Sequence, residues 1–261
     1  MADQVPSNSS EDVRTASTDA ASAVRGLAVV TGASSGIGAA VARALSASGR
    51  PLLLLARRQE KLEALGLAGA VVDGVDVVDP EAVRRSVNEA ESRLGPAEVL
   101  VNCAGVLHLG EFLSQAPDLV RQTLEVNVIG VANAIRAVLP SMLERRSGTI
   151  VNISSVAGRR GFADHVAYCA SKHAVEGLSE ALRMEVAPRG VRVIVVAPGV
   201  VDTPLGLETS DGRAAQRRQQ LVAALDGGLP PDAVAAAVLR AVEAPPAECW
   251  QHIVLTHVGE S

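Results

Sequence analysis

The segment Thr31-Gly32-Ala33-Ser34-Ser35-Gly36-Ile37-Gly38 constrains this chain most, because an apolar run ends at its first residue and a helical pattern begins just past its last. A strand, a glycine turn and a helix in that order build an anion site. Gly32 can take backbone angles that other residues avoid, Gly36 lets the chain approach a phosphate closely, and Gly38 lets the helix pack on the strand. The helix N-terminus then turns free N–H groups and the positive end of its dipole toward the anion. This is the order that a pyrophosphate site requires.

Downstream, short apolar runs alternate with longer helical patterns. The runs at 27–31, 52–56, 71–75, 99–102, 149–153, 191–196 and 252–256 are expected strands, and the stretches at 36–48, 59–65, 80–94, 117–146, 165–187 and 231–244 are expected helices. Near-continuous Val, Leu and Ile in the strands marks a parallel sheet covered on both faces. The expected fold is a single α/β domain over 25–261, a doubly wound, Rossmann-like seven-stranded parallel sheet flanked by helices. Residues 1–24 are rich in Ser, Asp, Thr and Ala and are expected to form a flexible tail. The segment 203–229 shows no clean period and suits a mobile cover over a site.

Composition removes several functions. With 24 basic against 29 acidic side chains, the net charge of −5 disfavours nucleic acid, and pairs such as Arg84-Arg85 and Arg217-Arg218 suggest solvated helix faces. No apolar run of about 18 residues and no signal pattern is evident, so no membrane partner and a cytoplasmic location are expected. The three cysteines, Cys103, Cys169 and Cys249, lack metal-type spacing, so free thiols and no metal site are expected.

Tyr168 and Lys172 stand four apart on an expected helix and therefore share a face. Ser155 lies just past the fifth strand, at the sheet end where such folds place ligands. Tyr168 is the only tyrosine in a chain that is 2% aromatic, and the only other lysine is Lys61. A free phenol has a pKa of about 10, and a nearby ammonium would favour the phenolate, making Tyr168 a plausible general acid or base. The Ser155 hydroxyl can hold a substrate oxygen beside the phenol.

With these residues in place, the sequence resembles the short-chain dehydrogenase/reductase family from Leu27 to about Thr256. The likeness rests on the glycine turn, Asp76, Asn102-Cys103-Ala104-Gly105, Asn127, Ser155, Tyr168, Lys172, Pro198-Gly199 and Thr203. The resemblance implies a catalytic set of Asn127, Ser155, Tyr168 and Lys172, in which Asn127 positions a water that relays protons to Lys172. It also implies that Lys172 binds the nicotinamide ribose and Asp76 meets the adenine, and that the backbone around Val200 and the Thr203 hydroxyl hold the carboxamide. The full expected cofactor set is Gly32, Ser34, Ser35, Gly36, Ile37, Gly38, Arg57, Arg58, Asp76, Val77, Asn102, Ala104, Gly105, Tyr168, Lys172, Pro198, Gly199, Val200, Val201 and Thr203. Asp73 is expected to be solvated.

Arg57-Arg58 follows the second strand where an acid would select NAD, so NADP is expected in preference to NAD. The expected activity is hydride transfer between NADP(H) and an aldehyde, ketone or alcohol. Two other readings stay open: a non-catalytic cofactor sensor of the same fold, and an epimerase or dehydratase. His108, His165, Arg159 and Arg160 are candidate contacts for an anionic substrate, and the resemblance implies a homo-oligomer, a tetramer.

Overall fold

In the computed structural model, which describes residues 25–206 and 211–260, successive strand residues point alternately into two hydrophobic layers. Ala28 and Val30 of β1 (Leu27–Thr31) and Leu52 and Leu54 of β2 (Leu52–Ala56) join one core, while Leu27, Val29, Leu53 and Leu55 join the other. Both faces are thus apolar and must be covered, which requires helices on each side. The sheet adds β3 (Val71–Gly74), β4 (Ala97–Asn102), β5 (Gly148–Ile153), β6 (Val191–Pro198) and β7 (His252–Leu255). Its order is β3-β2-β1-β4-β5-β6-β7, and every pairing is parallel. The expected doubly wound, seven-stranded architecture is the observed one. The expected tail, 1–24, lies outside the described residues.

One face is covered by α1 (Gly36–Ala47), the short α2 (Gln59–Glu63) and, through Val234, Val238 and Ala241, the last helix α8 (Pro231–Glu243). The other is covered by α3 (Pro80–Leu94), α5 (Gly130–Arg145) and α6 (Val166–Val186). α3 begins where Asp79 accepts hydrogen bonds from the N–H groups of Glu81 and Ala82, both at 3.0 Å, with Pro80 in the first turn.

The long helix expected over 117–146 is interrupted. α4 (Pro117–Leu124) leads into a π-helical turn at Glu125–Ile129, closed by the Gly130 N–H on the Glu125 carbonyl, before α5 resumes. By length and composition Pro117–Arg145 could cross a membrane. Val131, Ile135, Val138 and Met142 instead pack into the core.

The segment after β6 contains a helix not read from the sequence, α7 (Gly212–Ala224), started by Asp211, which accepts from Arg213 N at 2.9 Å and Ala214 N at 3.1 Å. Its amphipathic pattern is faint because Ala214 is its only buried residue. Asp73 is half-buried rather than solvated, and the Ser86 hydroxyl donates to its carboxylate, which fixes the end of β3 to α3.

Candidate active site

The carboxyl ends of the strands open on one cavity of about 600 Å³. At its first end lies the glycine turn. Thr31, buried at the end of β1, accepts hydrogen bonds through Oγ1 from Cys103 N and Ala104 N, both at 3.2 Å, which ties the turn to the loop after β4. Gly32 has φ +66°, and a Cβ there would stand 2.6 Å from Ala104 backbone atoms. A Cβ on Gly38 would stand 2.3 Å from the Gly32 carbonyl oxygen. Both positions therefore admit glycine alone, for the close approach anticipated from the sequence.

Ser35 occupies the N-cap of α1 but makes no side-chain capping bond, so the first-turn N–H groups at Gly36, Ile37 and Gly38 face the cavity without a side-chain acceptor. Arg57 and Arg58, both exposed, follow β2 at the same end, and Arg58 Nη2 donates to Ser34 Oγ at 3.4 Å. Asp76 also lines the cavity and accepts from Val78 N at 3.0 Å, while Val77 beside it is buried. A backbone cradle open at a helix N-terminus, flanked by two guanidinium groups, fits the diphosphate and adenosine part of a dinucleotide.

At the other end stand Ser155, Tyr168 and Lys172, all buried. Ser155 caps a 3₁₀ turn at Val156–Gly158, its Oγ accepting from Ala157 N at 3.1 Å. Tyr168 and Lys172 share a face of α6. Lys172 Nζ donates to the Ile153 carbonyl at 2.8 Å and lies 5.6 Å from the centre of the Tyr168 ring.

Burial pushes the Tyr168 phenol up to about 12, against which a hydrogen bond with Ser155 and the charge of Arg218 pull it down. Burial also lowers Lys172 to about 8, which the nearby Cys103 and Glu176 oppose. Removing the phenolate from water is thus the largest influence on Tyr168 within the protein itself. Burial likewise pushes the Cys103 thiol up to about 12, against which the charge of Lys172 pulls it down.

Two residues expected at the site sit behind it. Asn102 is buried off the cavity; its Nδ2 donates to Asn152 Oδ1 at 2.9 Å, and Asn152 Nδ2 donates to Ser179 Oγ at 2.8 Å. Through these bonds it fastens β4 to β5 and α6. Asn127, in the π turn, donates from Nδ2 to the Val106 carbonyl and to Ser171 Oγ, both at 3.0 Å, and accepts from Val106 N at 2.8 Å. Its oxygen lies close to Gly105, where a Cβ would stand 3.3 Å from Asn127 Oδ1 and 4.0 Å from Lys172 Nζ.

Ala104, Gly105, Pro198, Gly199, Val200, Val201 and Thr203 line the cavity as expected. The Val200 N–H, however, points at a carboxylate. Glu260 accepts from it with both oxygens at 3.1 Å, and no pattern in the last residues pointed to this. Thr203 Oγ1 stands 3.5 Å from the Val201 carbonyl. His108 and His165 also line the cavity, whereas Arg159 turns to His252 and Arg160 lies 4.9 Å from the Phe162 ring centre. Arg218, taken from the sequence as half of a solvated pair, lines the cavity too.

Comparison with known proteins agrees with this geometry. The family model for short chain dehydrogenases matches residues 26–214. Glycine betaine reductase ATRR of Emericella nidulans is 38% identical over 239 residues, covering 89% of this chain but only 18% of that longer protein. An uncharacterized oxidoreductase of Staphylococcus saprophyticus is 36% identical over 223 residues, 83% of this chain and 89% of its own. The closed form of serine dehydrogenase complexed with NADP+ superimposes with a TM-score of 0.82 at 28% identity, over 90% of this chain and 96% of that one. On its matched residues, its parallel sheet and these relatives, the chain belongs to the short-chain dehydrogenase family of oxidoreductases.

Proposed function

We propose that this protein reduces an aldehyde or ketone with NADPH, or oxidises the corresponding alcohol with NADP+. The observation that carries this reading is the placing of Ser155, Tyr168 and Lys172 at one end of a single cavity whose other end is the glycine turn. The cofactor supplies or takes the hydride. Tyr168 gives the proton to the carbonyl oxygen in reduction and takes it back in oxidation, Ser155 holds that oxygen, and Lys172 holds the nicotinamide ribose. Asn127 keeps Val106 and Ser171 in place around Lys172. The direct test is NADPH oxidation by the purified full chain with a panel of carbonyl compounds. Tight cofactor binding with no turnover across the panel favours the sensor reading instead.

Preference for NADP rests on Arg57 and Arg58, with no acid at the end of β2 to accept from a ribose 2′-hydroxyl or to repel a phosphate. The relative bound to NADP+ is consistent with this. Arg57→Asp is expected to lower the ratio of kcat/KM with NADPH to that with NADH by about 10-fold or more, the size of one charge-assisted phosphate contact. A wild-type preference for NADH, or an unchanged ratio in the variant, removes this assignment.

We place the protein in the cytoplasm as a homotetramer paired through α4, α5 and α6. Leu124, Ile129 and Met184 are exposed on this helical side, consistent with such a contact. Light scattering at micromolar concentration is expected to give four times the chain mass, and a monomer overturns it.

A further inference from the structure

Among the described residues, Arg218 is a half-buried cation of the cavity wall with no carboxylate paired to it. Arg218, half-buried on α7, donates from Nη2 to the Leu205 carbonyl at 2.7 Å, while its Nε is shut off from solvent without a hydrogen-bond partner. Its neighbour Arg217 turns outward and pairs with Asp164 at 2.7 Å. Among the described residues no carboxylate pairs with Arg218. Holding a guanidinium partly out of water with no anion beside it costs free energy, and a site that does so is matched to an anion arriving from outside.

The position of this cation ties it to the reacting end. Its charge favours the Tyr168 phenolate, and Tyr168 in turn favours the charged guanidinium against burial. The surrounding wall is apolar, formed in part by Leu107, Phe162, Leu205 and Leu221. The two acids that line the cavity, Asp76 and Glu260, are occupied elsewhere by the N–H groups of Val78 and Val200. Of the two histidines, His108 is engaged by Gln122 at 3.0 Å and His165 by the Ala163 carbonyl at 2.7 Å. With Lys172 assigned to the ribose, Arg218 is thus the cation left to meet a substrate at this end.

Resting on the carbonyl-reductase reading, we propose that Arg218 binds the carboxylate of an oxo-acid or hydroxy-acid substrate and so sets its carbonyl or hydroxyl carbon against Tyr168 and Ser155. A planar guanidinium offers N–H groups in the spacing of a carboxylate's two oxygens, and the Leu205 carbonyl holds that plane in place. The apolar wall then receives the carbon chain.

The rival role is structural, in which Arg218 only fastens α7 to Leu205. The test separates them through a ratio. The full chain is assayed with NADPH against short 2-, 3- and 4-oxo acids and the methyl ester of each, in the wild type and in Arg218→Leu and Arg218→Lys. At least one acid is expected to surpass its ester in kcat/KM. Arg218→Leu is expected to lower that acid-to-ester ratio about 30-fold or more, the loss typical of truncating one side of a buried charge pair. Arg218→Lys should recover part of it, and carries the comparison if the leucine variant does not fold. A ratio unchanged by both variants shows a structural role and overturns the proposal. Wild-type turnover of esters but of no acid overturns it while leaving the carbonyl-reductase reading intact. No turnover of any member overturns it, and the broader carbonyl panel then decides whether the carbonyl-reductase reading falls as well.

Discussion

Tyr168→Phe is expected to cut kcat for carbonyl reduction by about 100- to 10,000-fold, the usual worth of a positioned general acid, while cofactor affinity stays close to that of the wild type. The substitution removes one oxygen from a buried ring and leaves the packing of α6 unchanged, so the loss reports on proton transfer. The pH profile gives an independent check. Burial holds the phenol at about 12, so Tyr168 is protonated at neutral pH and ready to donate in reduction. Alcohol oxidation needs the deprotonated form, which becomes more abundant as pH rises, so its rate should climb from pH 6 to 10. Reduction should not gain over that range. A variant that keeps more than about a tenth of the wild-type rate, or a flat oxidation profile when chemistry limits, contradicts the assignment.

Lys172→Met is expected to lower kcat/KM about 100-fold or more and to weaken NADPH binding about 10-fold, since a hydrogen bond from a charged group is typically worth 1.5–3 kcal/mol. Methionine nearly matches the lysine stem in volume, so the buried wall of α6 stays filled. What disappears is the ammonium, with its 2.8 Å hydrogen bond to the Ile153 carbonyl and the ribose contact proposed for it. Cofactor affinity measured by fluorescence titration, beside the melting temperature, distinguishes a binding role from a scaffolding one. Unchanged affinity removes the ribose role, and a collapse in melting temperature with proportionate loss of all functions would make Lys172 a structural tether between α6 and β5.

The sheet was legible because its strands are buried on both faces and carry little besides Val, Leu and Ile. α3 was legible to the residue because Asp79 and Pro80 mark its start. The glycine turn and the Ser, Tyr and Lys positions could be found because their backbone demands and spacing are strict. α7 escaped because a helix that buries only Ala214 has almost no apolar stripe, and its one clear sign was Asp211 ahead of a run of helix formers. Arg218 escaped with it, since one sequence cannot show which of two adjacent arginines turns inward. The fastening bonds of Asn102 escaped because their partners on β5 and α6 are distant in sequence.

The π turn at Glu125–Ile129 makes chain length itself a working part of the molecule. Within it Asn127 holds the Val106 loop; downstream, Gly130 sits against Val77, and Asn133 donates to the carbonyls of Val77 and Val78 at 3.0 and 3.2 Å. One continuous rod thus grips loops at both ends of the cavity. The phase between those grips is set by a single surplus residue, since each residue turns a regular helix by about 100°. Deleting one residue here would leave every side chain chemically intact and yet swing one grip away from its loop. Exchanges at outward positions such as Ile129, half exposed, leave that phase untouched. Along this stretch the tolerance is therefore for spelling and not for counting.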